Sequence, residues 1–245
     1  MKKYILIILC CLTSFPLWSY NVNMIVEHYS VDQGLPNNTV NCTLKDRDGF
    51  IWFGTWYGLC SFDGVKFKTF NKQEHDSDVP PRKIQRIVED KNGYIWVKTI
   101  DRKLYVFNKV TECFHAVYDD MKNYSENIQV IKLQNTAEGD VLLLTKDKNL
   151  LLAGVDEKGQ VTIKILFDSR DEINKHDYTL KHHVLCETEE YISWIGTDYK
   201  VSAVHKGAEL ASRPADFITS KINSGDKDSF TSFFEDGRKV WVGDR

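Results

Sequence analysis

Residues 48–55 read Asp48-Gly49-Phe50-Ile51-Trp52-Phe53-Gly54-Thr55, and 92–99 repeat the shape as Asn92-Gly93-Tyr94-Ile95-Trp96-Val97-Lys98-Thr99. It returns as Glu190-Tyr191-Ile192-Ser193-Trp194-Ile195-Gly196-Thr197 and as Asp236-Gly237-Arg238-Lys239-Val240-Trp241-Val242-Gly243. Between them lies Glu138-Gly139-Asp140-Val141-Leu142-Leu143-Leu144-Thr145, where Leu143 takes the place of the tryptophan on this reading. Five copies result, spaced 44, 47, 51 and 47 residues apart. A repeat of that length marks a stack of like units rather than one unrepeated core.

Within the first unit four short strands are predicted, at Thr39–Leu44, Phe50–Thr55, Leu59–Phe62 and Lys66–Phe70. Asp48-Gly49, Asp63-Gly64 and Asn92-Gly93 lie between apolar runs, the strongest short-range hairpin signal; type I′ turns are expected there. The second strand is apolar on both faces, Ile51 and Phe53 on one and Phe50 and Trp52 on the other. Such a strand belongs between two sheets rather than against water. Four antiparallel strands per unit, a period in the forties and doubly apolar inner strands define an all-β chain of β-propeller blades. Helical spacing is not sustained in any unit, as Ile84-Gln85-Arg86-Ile87-Val88 illustrates. The blades are placed at about 38–70, 84–117, 127–167 and 182–220, with a partial fifth at 229–245. Ile25–Ser30 reads as a lone strand ahead of the first blade, and the last blade offers two strands, so an open, incomplete propeller of about four and a half blades is expected over 21–245. The repeat tryptophans are expected to pack between blades.

Residues 1–20 have the order of a secretory signal peptide: Lys2-Lys3, a mostly apolar run from Tyr4, then a small and polar stretch ending near Ser19 or Tyr20. Bulky Leu17 and Trp18 make the cleavage site imperfect, which leaves an uncleaved anchor as the other reading. Removal of this leader takes the net charge from −3 to −5, and no basic patch invites nucleic acid. The mature chain would keep Cys42, Cys60, Cys113 and Cys186, whose spacing fits neither a disulfide scaffold nor a zinc site; they are read as small apolar residues.

Tyr29-Ser30-Val31-Asp32-Gln33-Gly34-Leu35-Pro36-Asn37-Asn38-Thr39-Val40, followed by 48–55 and by Gly58-Leu59-Cys60-Ser61-Phe62-Asp63, resembles the two-component regulator propeller repeat. Lys98 replaces the glycine of the second copy, and Glu189-Glu190 the turn glycine of the fourth. The resemblance implies the N-terminal part of a periplasmic sensor with two seven-bladed propellers, a β-sandwich domain, a membrane helix and a histidine kinase. Hybrid members add a receiver and a DNA-binding domain. Their inducers are oligosaccharides of complex glycans, and their output is transcription of glycan-use genes.

Trp56 and Tyr57 follow Thr55 at the corner between the second and third strands, on the rim where propeller loops converge. Equivalent corners are read at Asp101-Arg102, Asp147-Lys148 and Asp198-Tyr199. Sugar ring faces stack on aromatics and hydroxyls bond to carboxylates and guanidinium groups, so Trp56, Tyr57, Asp101, Arg102, Asp198 and Tyr199 are the candidate ligand-binding residues. The plain reading of the same residues is that of solvated turns. No catalytic motif is present, and His182-His183 on one strand point to opposite faces, so neither a catalytic residue, a metal nor a cofactor is assigned. The expectation is a non-enzymatic, periplasmic oligosaccharide-binding segment of an inner-membrane-anchored sensor that could form a homodimer, with no membrane contact of its own after leader removal. A propeller-fold polysaccharide lyase or hydrolase, and a non-functional remnant, are the rivals.

Overall fold

A computed structural model describes residues 26–70, 80–122, 124, 129–146 and 149–166 in full, together with the backbone of Phe167 and of six further strands between 185 and 243. The predicted leader and Asp147, Lys148, His182, His183, Asp198 and Tyr199 lie outside the described residues.

Gly49, Gly93, Gly139 and Gly159 sit at φ between +82 and +93°, each closing a tight hairpin. In the first of these, Gly49 N–H donates to Asp46 O at 3.2 Å and Asp46 N–H to Phe50 O at 2.9 Å. Asp48 is not left-handed, so this is a three-residue loop, a turn followed by a left-handed glycine, and not the type I′ turn expected from Asp48-Gly49. The aspartate decides the matter: its Oδ1 accepts from Asp48 N–H and Phe50 N–H, which folds the loop back onto its own side chain.

These hairpins build four antiparallel sheets, each a simple meander. The first holds β1 (Val40–Lys45), β2 (Ile51–Thr55), β3 (Gly58–Phe62) and β4 (Phe67–Phe70). The second holds β5 (Ile84–Glu89), β6 (Ile95–Thr99), β7 (Leu104–Asn108) and β8 (Cys113–Ala116), followed by the one-turn helix α1 (Tyr118–Met121). The third holds β9 (Val130–Asn135), β10 (Val141–Thr145), β11 (Leu150–Val155) and β12 (Val161–Phe167). In the fourth, β13 (Leu185–Glu187), β14 (Tyr191–Ile195), β15 (Lys200–His205) and β16 (Ile218–Lys221) pair in sequence order; β17 (Ser232–Glu235) and β18 (Val240–Gly243) form a separate two-stranded sheet. The chain is an incomplete, open β-propeller, and its strands in the first unit fall within a residue or so of those read from the sequence.

The first strands of successive sheets lie side by side, β1 and β2 against β5 and β5 against β9. Two apolar layers fill the joints. Trp52, Leu59, Phe70, Ile84, Ile87, Ile95, Val97 and Phe107 form the first; Trp52 stacks on Phe70 at 5.3 Å between ring centroids and meets Phe107 edge-on at 5.6 Å. Trp96, Val106, Met121, Val130, Leu133, Leu143 and Leu151 form the second. Both described repeat tryptophans thus pack between blades. In the third sheet Leu142, not Leu143, stands in for the tryptophan: Leu142 pairs with Gln134 as Trp52 pairs with Leu44 and Trp96 with Val88. Leu142 lies with Leu144, Leu150 and Leu166 on the other face of its sheet from Leu143, because adjacent strand residues point oppositely.

The strands β6 and β10 are buried throughout, whereas Phe50 and Ile51 at the start of β2 remain exposed. The outer face of the first sheet is covered by no sheet among the described residues. The segment before β1 lies there instead: Tyr29 packs on Phe62 and Phe67 at 5.0 and 5.5 Å, and Leu35 is buried. This segment is not the lone strand predicted at Ile25–Ser30. Residues 26–30 form no ladder, and Ser30 instead caps the 3₁₀ turn Val31–Gln33, its Oγ accepting from Asp32 N–H while Gln33 Oε1 accepts from Ser30 N–H.

Gly54 marks how closely β2 meets β5. A Cβ there would stand 2.5 Å from Cys42 Sγ and 2.5 Å from Ile84 Cγ2. Gly54→Ala is expected to cost about 1–3 kcal/mol through overpacking, read as a lower denaturant midpoint; an unchanged midpoint would mean that the first joint is looser than described.

Candidate functional site

Two rows of contacts tie the blades together at opposite ends of the strands, and they differ in kind. At the hairpin end, Asp46 Oδ2 accepts from Trp52 Nε1 at 2.8 Å, and Asp90 Oδ2 from Trp96 Nε1 at 2.9 Å. Asp46 Oδ2 also accepts from Lys109 Nζ at 3.1 Å, and that ammonium reaches Asp48 at 2.6 Å and Glu89 at 2.8 Å. Burial pushes the Asp46 carboxyl up, but the hydrogen bonds from Trp52 and Lys109 outweigh it and hold the group below its ordinary range. Burial works against the Lys109 charge, yet bonds to Asp48, Glu89 and Asp46 raise it well above the usual lysine range. The three carboxylates lie close enough to hold a cation, and the lysine supplies that cation. Arg47 completes the latch, its backbone N–H donating to Glu89 at 2.9 Å and its guanidinium to the carbonyls of Lys91 and Asp90. The network is structural.

In the third sheet Thr136 occupies the aspartate position, its Oγ1 accepting from Asp140 N–H at 3.1 Å. Aspartate and tryptophan are lost together there. An indole N–H buried without an acceptor, or a buried carboxylate without its donor, is the costly intermediate.

At the other end are the corners between second and third strands. Thr55 Oγ1 donates to Gly58 O and accepts from Tyr57 N–H, so the corner holds two residues, Trp56 and Tyr57. Thr99 Oγ1 donates to Lys103 O, and Thr145 Oγ1 to Asn149 O, so the next two corners hold one residue more. Trp56 therefore corresponds to Ile100 and Lys146, and Tyr57 to Asp101; the expected equivalence of Trp56-Tyr57 with Asp101-Arg102 is off by one position. Hydrogen bonding from Thr99 holds the Asp101 carboxyl low.

Trp56 is 39% and Tyr57 62% exposed, and Asp101 and Arg102 are exposed as well. All four lie on the one rim. Lys83 Nζ stands 5.2 Å from the centre of the Trp56 ring, a cation on its face. The rim is drawn together by backbone bonds: Trp56 N–H to Thr39 O, Lys83 N–H to Trp56 O, Ile100 N–H to Lys83 O, Val130 N–H to Arg102 O and Lys146 N–H to Gln129 O. Lys83 and Arg102 adopt left-handed backbone at φ 51 and 67°, uncommon for residues with a side chain. Sequence reasoning did not single out Lys83, which lies between the units it connects.

Cys42, Cys60 and Cys113 are free thiols. Cys60 is buried, and burial pushes its thiol up to about 12 and that of Cys42 to about 11, so both are poor nucleophiles. Among the described residues no helix is long and apolar enough to cross a membrane.

The fold and its rim define a propeller built from repeated four-stranded blades. The sequence model of the two-component regulator propeller matches residues 34–57, which span β1, β2 and the Trp56-Tyr57 corner. A histidine kinase P4 from Formosa agariphila is 33% identical over 84 residues, 31% of this chain and 6% of that protein. Among solved structures, the extracellular domain described as that of the hybrid two-component system BT3049 from B. thetaiotaomicron superposes with TM-score 0.57 at 18% identity, over 89% of this chain and 29% of that one. The corresponding domain of BT4673 from the same organism gives TM-score 0.46 at 12% identity, over 86% and 33%. The chain thus spans a small part of the proteins it matches, and the BT3049 superposition speaks for the fold alone.

Proposed function

We propose that this chain is the ligand-sensing propeller segment of an exported two-component regulator, and that it takes an oligosaccharide on the rim carrying Trp56, Tyr57, Asp101 and Arg102. The observation that carries this reading is the exposed Trp56-Tyr57 pair, held rigidly at a corner by Thr55 and faced by Lys83. Exposed aromatic surface rimmed by charged groups is one of the marks of a ligand-binding surface. The match of residues 34–57 to a sensor repeat supports the regulatory setting, and the placement in the periplasm, the membrane-anchored kinase and the control of glycan-use genes follow from that setting. Asp198 and Tyr199, outside the described residues, stay in the proposal on the sequence reading alone.

Ligand binding moves such a sensor only if the two signalling states bind the ligand unequally. The full-length sensor carrying Trp56→Ala is expected to lose at least tenfold in affinity for its inducing oligosaccharide, about 1.4 kcal/mol, with an unchanged melting temperature. Calorimetry on a panel of glycan oligosaccharides reads this. Unaltered affinity removes Trp56 from the site, and release of cleaved sugar from the panel would favour a propeller enzyme instead.

A further inference from the structure

Lys98 breaks the local rule of its strand. Its position in β6 corresponds to Gly54 in β2 and Leu144 in β10. At the first joint that position must be glycine, because Ile84 fills the space. At the second joint a lysine lies there with only 5% of its surface exposed. Its ammonium donates to Gln85 Oε1 at 2.5 Å, a neutral amide, and among the described residues no carboxylate is paired with it. Asp101 is the acidic group on the adjacent corner, and it is engaged by Thr99 and Lys103.

A second cation stands near. Arg102, on the exposed corner after β6, donates to Gln129 Oε1 at 3.3 Å and is held left-handed by its corner. Burial first, and the charge of Arg102 second, bring the Lys98 amine down to about 8. Lys109 provides the internal contrast: a lysine of the same sheet, less enclosed with 18% of its side chain exposed, is surrounded by three carboxylates. A lysine kept for structure in this protein is neutralised; Lys98 is not. A cation removed from water without an opposite charge is expensive, and a costly arrangement beside a binding rim is the kind retained for a ligand. The bulge at Gln85, between Ile84 and Arg86, recurs at the same place in the first and third sheets, so it belongs to the blade and only the lysine is particular to this joint.

We propose that Lys98 and Arg102, with the amides of Gln85 and Gln129 beside them, form an oxyanion subsite at the rim of the joint between the second and third sheets, which takes the carboxylate or sulfate group of an acidic sugar. The inference rests on the reading of this rim as a saccharide site, and it narrows the substrate class to charged saccharides. Arg102 supplies a fork suited to two oxygens, and Lys98 a point charge from beneath.

Calorimetry on the full chain with three probes tests it: a uronate disaccharide, a sulfated disaccharide and a neutral disaccharide of matching backbone. At least one acidic probe is expected to bind ten times more tightly than the neutral one, and which of the two does so identifies the anion. Lys98→Leu should erase that tenfold preference while leaving neutral-probe binding as it was, Arg102→Gln should erase the preference whatever it does to the neutral probe, and Lys98→Arg should keep most of it. Leucine is accommodated at this place in β10, and Arg102→Gln lies on an exposed corner, so the pair does not depend on one variant folding. Equal affinity for all three probes, or a preference that survives both variants, overturns the subsite while the saccharide rim stands. Failure of every probe to bind overturns the rim and the subsite together.

Discussion

Trp96→Ala is expected to lower stability by about 3–5 kcal/mol, the range for deleting a large buried aromatic, and to be among the most damaging single changes in the chain. The indole is fully buried in the layer that joins the second sheet to the third, among Val130, Leu133, Val141 and Leu151. Its Nε1–H is the donor to Asp90 Oδ2 at 2.9 Å, so truncation both opens a cavity and strips a buried carboxylate of a partner. Trp96→Phe keeps most of the volume and should cost only the hydrogen bond and the unmet carboxylate, about 1–3 kcal/mol. The third sheet suggests a rescue. It carries threonine and leucine at the two positions, so the double change Asp90→Thr with Trp96→Leu should cost less than the sum of its single changes. Guanidinium denaturation of the four variants reads this cycle; additive losses would mean that aspartate and tryptophan are not a unit.

The second large effect is electrostatic. Lys109→Met should destabilise by about 3 kcal/mol at neutral pH, because breaking an enclosed ion pair leaves the opposite charge stranded. Here three carboxylates lose their shared cation, and one of them, on Asp46, is wholly enclosed. The pH dependence separates charge from packing. In the unaltered protein the Asp46 carboxyl is held below its ordinary 3.8, so its contribution is complete above that value and fades as pH falls through the lowered one. Lys109 is held above its ordinary 10.5, so its contribution is complete below that value and fades as pH rises through the raised one. Without Lys109 the carboxylates repel one another and take up protons more readily on folding. The deficit of Lys109→Met should therefore shrink on going from pH 7 to pH 4. A deficit equal at both values, or none at pH 7, would remove the ionic latch.

What the sequence carried and what it withheld follow from range. Hairpin glycines, alternating apolar runs and the 44-residue echo are local, and the strands they predict lie where they are found. Leu142 rather than Leu143 was legible too, since Gly139 precedes it by the same three residues that separate Gly49 from Trp52 and Gly93 from Trp96, and the pairing with Gln134 bears this phase out. The aspartate partner of each indole had a visible signal, since Asp46 precedes Trp52 and Asp90 precedes Trp96 by the same six residues. Lys109 had none, standing 63 residues from Asp46. At the rim, Trp56 and Tyr57 were legible as aromatics at a turn, and they are exposed there. The displaced alignment with Asp101-Arg102 reflects one extra residue in the later corners, which strand pairing reveals and a repeat pattern does not. Lys98 was visible as the residue that replaced a glycine, but its enclosure and its lack of an acidic neighbour belong to the assembled joint.

The backbone bonds along the rim bear on how force would travel through this molecule. The first two corners are each tied both to the residue that opens their own blade and to the segment that opens the next, from Thr39 through Trp56 and Lys83 to Ile100, and again from Arg102 to Val130. Together they make a belt, and a pull on any buckle is borne by its neighbours before it reaches the hairpins at the far end. Tension applied at Trp56 is accordingly carried sideways, from wedge to wedge, while the carboxylate and lysine latches hold the opposite edge as a fixed hinge.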